Sequence, residues 1–163
     1  MPRKTYLTSG SNPLSQVVRA GDTLYLSGHV PIDPATGKTA GDNVADQTRQ
    51  TFENLIVTLE HAGVSLDDVV KVNVFLTDAG GDFAAMNAVY REYFPTDPPA
   101  RTTVGTSGLA NSAFLIEIEM IAYAPQSLGR SPAPSMSGVV HPELDTMKRT
   151  GDSGRSGSAA PGA

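Results

Sequence analysis

One α+β domain, a mixed or antiparallel sheet with two helices on one face, is what this sequence predicts. Three observations carry the expectation. Short segments of alternating polarity, clearest at residues 69–76 and 114–123, read as half-buried strands. Two longer segments, 43–62 and 82–94, repeat apolar residues at spacings of three and four. Beyond residue 126, Gly, Pro and Ser displace any sustained apolar period. Alternating strands with helices gathered on one side indicate an α+β layer rather than a doubly wound parallel sheet. The domain is therefore 1–126, and 127–163 is read as a disordered Gly/Pro/Ser-rich tail. Within it, residues 138–144 (Gly-Val-Val-His-Pro-Glu-Leu) read as linker rather than as a docking segment.

In chain order, residues 9–15 are turn-like and lead into a first full strand at 16–19. Ala20-Gly21-Asp22 turns the chain into a partner strand, 23–27, which Gly28 stops. The segment 29–41 is an ordered loop, with a surface turn at Asp33-Pro34-Ala35-Thr36-Gly37. Asp42 or Asn43 caps the first helix, whose stripe is Thr48, Phe52, Leu55, Ile56, Leu59 and Ala62, and Gly63 ends it. In the strand at 69–76 the even positions are all apolar, while Lys71 and Asn73 are odd. Asp82 is read as the cap of the second helix, with Phe83, Met86, Tyr90, Tyr93 and Phe94 as its buried stripe and Pro95 as its stop. Asn87 falls within or beside that stripe and needs partners. Pro98 and Pro99 fix the backbone into a short strand that begins at Arg101 and continues through Thr102, Thr103 and Val104. In the last strand Phe114, Ile116, Ile118, Met120 and Ala122 point one way, Glu117 and Glu119 the other. A second sheet face bearing Lys71, Asn73, Arg101, Glu117 and Glu119 beside Val17, Phe75 and Ile121 is too apolar for open solvent and too charged for a core. Burial against copies of the same chain resolves that conflict.

Composition narrows the chemistry. A net charge of −5 disfavours a phosphate-binding surface, so no nucleic-acid partner is expected. No cysteine is present, which removes disulfides, thiolate metal sites and cysteine nucleophiles. No apolar run approaches the length needed for a bilayer span or follows the first residues as in a secretory signal, so a cytoplasmic protein with no membrane partner is expected. His29, His61 and His141 lie at no metal-ligand spacing, and neither a nucleophile elbow nor a phosphate-cradling loop occurs. Arg101, which the strand pattern alone reads as a surface arginine at a strand end, is also the feature that chemistry can use, because a rigidly placed guanidinium receives a carboxylate bidentately. Glu117, one loop further on, is expected to neighbour Arg101 on the polar face, either as a salt bridge or as the group that positions a water.

A set of motifs, in order, extends this reading. They are Leu26-Ser27-Gly28-His29-Val30-Pro31, Asp33-Pro34-Ala35-Thr36-Gly37, Gln47-Thr48-Arg49-Gln50, Val69-Val70-Lys71-Val72, Val74-Phe75-Leu76-Thr77-Asp78, Asn87-Ala88-Val89-Tyr90, Pro99-Ala100-Arg101-Thr102-Thr103-Val104 and Ile116-Glu117-Ile118-Glu119. Together they resemble the reactive intermediate deaminase family, RidA or YjgF, across residues 5–124. The resemblance implies a chorismate-mutase-like fold and a homotrimer with a central barrel and three interface sites. It also implies hydrolysis of 2-imino or 2-enamino acids, such as 2-aminoacrylate, to 2-oxo acids and ammonia without cofactor or metal. On the same basis Arg101 binds the carboxylate, Glu117 positions water, and Ser27, Gly28, Asn87 and Thr103 line the pocket. Two departures stand out. Leu14 in Pro13-Leu14-Ser15-Gln16 occupies a position where a pocket tyrosine is common, and the loop between Arg101 and Glu117 is one residue longer than usual. A more apolar pocket suggests a larger or different imine, or weaker activity on the smallest one. The rival implication is a non-catalytic, trimeric 2-oxo acid binding or regulatory protein, which would need Arg101 but not Glu117. A ribonuclease, a name attached to some members, fits the acidic composition least.

Overall fold

The computed structural model describes residues 3–8 and 13–125. Among them the elements run β1 (Arg3–Thr8), β2 (Ser15–Ala20), β3 (Thr23–Leu26), β4 (Ile32–Asp33), β5 (Lys38–Thr39), α1 (Val44–His61), a 3-10 turn (Leu66–Asp68), β6 (Val69–Leu76), α2 (Ala79–Tyr93), β7 (Ala100–Gly105) and β8 (Ile116–Tyr123). Six strands form one sheet in the order β1-β2-β3-β8-β6-β7. Its pairings are antiparallel except for β6 with β7, the two strands joined through α2, because a parallel return needs a crossover. The expected α+β layer with a mixed sheet is therefore present, and the readings at 127–163 lie outside the described residues.

The strand at 3–8 was not expected. Arg3-Lys-Thr-Tyr-Leu-Thr has no clean alternation, yet it pairs with β2 from Arg3↔Ala20 to Thr8↔Ser15. An edge strand needs only one neighbouring ladder, so pairing rather than pattern specifies it. The loop at 29–41 contains a small ribbon, β4 with β5, closed by the expected turn. The Asp33 carboxylate accepts from the Ala35 N–H and the Thr36 hydroxyl, and Gly37 takes the left-handed conformation at φ 67°.

Helix α1 is capped by Asn43, whose side-chain oxygen accepts from the Asp46 N–H at 3.0 Å, and Gly63 at φ 75° turns the chain out after it. Helix α2 starts earlier than expected. Asp78, not Asp82, is its cap, accepting from the Gly81 N–H at 2.9 Å, while Asp82 lies inside the first turn. Ala79, Gly80 and Gly81 carry no apolar period, so the stripe alone placed the start a turn too late.

The main core joins the helices to one sheet face: Phe52, Leu55 and Leu59 of α1 and Met86 and Tyr90 of α2 meet Val72, Val74, Leu76, Ile116, Ile118 and Met120. Aromatic contacts tie the helices together, with Phe52 stacked on Tyr93 at 4.3 Å and edge-on to Tyr90 at 5.7 Å. Four sequence assignments change, the first being Phe83, expected in the buried stripe of α2 but exposed at 43%. Val70 is exposed because an irregularity between Val69 and Lys71 shifts the register, so Val69 is buried instead. Val17 is wholly buried in the main core rather than on the second face. Phe114 precedes β8 and anchors a separate small cluster with Val30 and Ile32. On the second face, one row runs Tyr25–Ile121–Lys71–Ala100, the next Glu119–Asn73–Thr102, and the third Glu117–Phe75–Val104. Tyr25 and Val104 are exposed there, at 49% and 41%.

Candidate active site

Arg101 occupies the second position of β7, the sheet's edge strand, and pairs in register with the buried Val72 of β6. Residues paired across a ladder share a face, so the Arg101 side chain projects toward the helices. There its guanidinium carbon stands 4.5 Å from the centroid of the Tyr90 ring and 5.8 Å from that of Phe83, both on α2. Among the described residues no carboxylate lies within ion-pair distance of this half-buried cation. Asn87, half-buried, occupies the same side of α2 between Phe83 and Tyr90 in the helical repeat. Thr103 points the same way as Arg101, and its hydroxyl oxygen is buried without a hydrogen-bond partner, as is that of Tyr90. Burial pushes the Tyr90 phenol up to about 12, against a smaller opposing effect of Arg101.

Glu117 belongs to the opposite face. Its ladder partner is Phe75, and its carboxylate rests against the Gly28 backbone, where a Cβ would meet the Glu117 Cδ at 2.8 Å. The approach is set by the bridge between His29 and Ile118, whose backbone groups exchange hydrogen bonds of 2.8 and 3.0 Å. Only glycine leaves the carboxylate this space. Burial raises the Glu117 pKa, and the charge of Glu119 raises it further. Glu119 accepts from the Asn73 amide at 2.8 Å, and Lys71 donates to the Thr102 hydroxyl at 2.6 Å on the same face. The Ser27 hydroxyl donates to the Ser15 carbonyl at 2.8 Å, which fastens the end of β3 to the segment that carries Leu14. Leu14 itself is exposed at 39%.

The expected juxtaposition of Arg101 and Glu117 does not hold within one chain. β6 lies between their strands, and the two side chains project from opposite faces. The single loop joining β7 to β8 suggested adjacent strands, but the long-range β6–β8 pairing intervenes. The sequence-predicted residues instead form two groups: Arg101, Thr103 and Asn87 at the β7 edge, and Glu117, Gly28 and Ser27 around β3 and β8. His29, which lies at no metal-ligand spacing in the sequence, is buried, with its ring nitrogens 2.9 Å from the Ser27 carbonyl and 2.8 Å from the Thr58 hydroxyl. Tyr90 entered the sequence reading as part of the helix stripe and of the motif Asn87-Ala88-Val89-Tyr90, with no role of its own, since periodicity does not tell a core tyrosine from one that carries an arginine. No group of three or more His, Cys, Asp or Glu side chains suited to a metal occurs among the described residues.

A family profile described as endoribonuclease L-PSP matches residues 8–124, and so spans both groups. The chain belongs to this family, also known as YjgF or RidA. Over 111 residues the chain is 51% identical to a RutC family protein of Pyrococcus horikoshii, covering 68% of this chain and 86% of that protein. It is 39% identical over 109 residues to a 2-iminobutanoate/2-iminopropanoate deaminase of Dermatophagoides farinae, covering 67% and 84%. The fold matches the crystal structure of RidA from the Antarctic bacterium Psychrobacter sp. with a TM-score of 0.67 and 38% identity, over 74% of this chain and 98% of the other. As a YjgF/RidA member, the chain has the α+β fold of its structural neighbours.

Proposed function

We propose that the chain is a cytoplasmic hydrolase of 2-imino and 2-enamino acids, acting without cofactor or metal as a homotrimer that releases 2-oxo acids and ammonia. The observation that carries the reading is Arg101: a half-buried guanidinium seated on an aromatic ring, with no carboxylate partner among the described residues. The deaminase name of one relative supports the reaction class. Because Arg101 and Glu117 face opposite ways, each site takes Arg101 from one copy and Glu117 from its neighbour, with the second face as the packing surface. The exposed Tyr25 and Val104 on that face gain cover by this packing.

The substrate carboxylate lies across the Arg101 edge, and an enamine first gains a proton at C3 to give the iminium. Glu117 takes a proton from water as its oxygen attacks C2, and the iminium nitrogen receives the electron pair. Glu117 returns its proton to that nitrogen, and as the carbinolamine hydroxyl gives up its proton to the Glu117 carboxylate the C–N bond breaks, releasing ammonia and the 2-oxo acid. A carboxylate with a raised pKa is a better general base than an ordinary one, and the missing side chain of Gly28 leaves the Glu117 carboxylate its place against the backbone. Orientation supplies much of the acceleration, since a protonated imine is already electrophilic.

The test couples the protein to a serine or threonine dehydratase and follows 2-oxo acid release. Arg101→Ala should lower the rate about 100-fold or more, as expected for loss of a bidentate, charge-assisted contact. Glu117→Ala should lower it by about 10²–10⁴-fold while leaving 2-oxo acid binding intact. Binding without acceleration in the wild-type protein would mark a non-hydrolytic 2-oxo acid binder instead.

A further inference from the structure

The Tyr90 side chain has no part in the hydrolysis described above, although it is the closest aromatic neighbour of Arg101. We propose that Tyr90 is the positioning residue for Arg101, its ring holding the guanidinium by the face so that the in-plane N–H donors stay free for the substrate carboxylate. The inference rests on the reading of Arg101 as a carboxylate receptor.

A half-buried guanidinium can be held in two ways. An ion pair holds it by its edge and consumes the donors that a carboxylate ligand needs. A ring holds it by its face, offsets part of the desolvation, and leaves the edge open. Here the guanidinium carbon stands 4.5 Å from the Tyr90 centroid, and no edge-on acid occurs among the described residues. The ring is itself fixed. It is buried at 5% exposure, edge-on to Phe52 at 5.7 Å and tilted against Phe94 at 5.0 Å. Phe52 belongs to α1, so the plane of the ring is set by the helix pair rather than by β7. Phe83 at 5.8 Å adds a second aromatic neighbour. A phenol pushed up to about 12 stays neutral in any working buffer, so it neither pairs with the arginine as an anion nor transfers protons. Its hydroxyl has no hydrogen-bond partner among the described residues, which leaves the ring as the part that acts.

The experiment measures dissociation constants of 2-oxobutanoate and of the uncharged 2-oxobutanamide by calorimetry; the preference for the acid is the readout. Tyr90→Phe keeps the ring and should keep the preference within about 2-fold. Tyr90→Leu and Tyr90→Met remove the ring and should each reduce the preference about tenfold, the loss expected for a desolvated cation–π contact. Val64→Ala disturbs the same core outside the aromatic cluster and should leave the preference unchanged. An unchanged preference in both ring-free variants, an equal fall in Val64→Ala, or a fall in Tyr90→Phe would each overturn the proposal. If the wild-type protein shows no preference, or Arg101→Ala retains it, the reading of Arg101 as receptor fails, and the role of Tyr90 with it.

Discussion

Glu117 shows how one side chain links the fold to the proposed chemistry. Its carboxylate is half-buried, close to Gly28 and on the same strand as Glu119, so its pKa is raised by burial first and by the neighbouring charge second. A pKa that is higher folded than unfolded means that the native state holds the proton more tightly, so this group favours folding below its ordinary value of 4.5 and opposes it above the raised one. Glu117→Gln should therefore raise the melting temperature at pH 7.5, and the difference should close as the pH falls through the raised value toward 4.5. A difference that widened on acidification would show that the sign is wrong. The same carboxylate must be ionised to act as a base, so dehydratase-coupled activity should fall on the acid side over that window. Gly28→Ala should place a methyl where the carboxylate now lies, costing activity while leaving the circular dichroism spectrum unchanged. Sequence marked Glu117 and Gly28 separately; their contact depends on the His29–Ile118 bridge, which no local pattern announces.

At the scale of elements, buried amides of α1 fix the segments that flank the site. The Gln47 side chain donates to the Ala113 carbonyl at 2.9 Å and accepts from the Leu115 N–H at 2.8 Å, which holds the approach to β8 against the helix. Asn54 donates to the Val30 and Ile32 carbonyls at 3.0 and 2.8 Å, and so holds the chain beyond Gly28. Gln47→Leu leaves the Ala113 carbonyl and the Leu115 N–H, at part-buried bonds, without their side-chain partner and should cost about 1–2 kcal/mol in urea unfolding. Arg49→Ala removes only exposed ion pairs with Asp46 and Glu92 and should change the midpoint little. The helices and the strands at 69–76 and 114–123 were legible because their apolar spacing is regular. The edge strand β1, the Asp78 cap and the register shift at Val70 were not, since pairing and backbone geometry specify them rather than side-chain period. The motif Gln47-Thr48-Arg49-Gln50 was visible as a pattern, but what Gln47 holds became legible only with the fold.

For the whole molecule, the decisive feature is that the sheet separates what the chemistry would join. Arg101 leaves β7 toward the helices and Glu117 leaves β8 toward the second face, with β6 between them. The mixed character of that face, Phe75 and Ile121 among Lys71, Asn73, Glu117 and Glu119, was legible in the sequence and prompted the expectation of self-association, although Val17, read as part of it, lies in the main core. The placement of Arg101 with them was wrong, because the parallel register of β7 puts it on the same side as Val72. If each site is shared between copies, two inactive variants can repair one another. Arg101→Ala and Glu117→Ala subunits are unfolded together, refolded as an equal mixture, and assayed for 2-oxo acid release beside each variant alone. Random assembly puts an intact arginine opposite an intact glutamate in about a quarter of sites, so the mixture should recover about a quarter of the wild-type rate. A mixture no more active than the separate variants, beside an active wild-type protein refolded in the same way, would contradict a site shared between subunits.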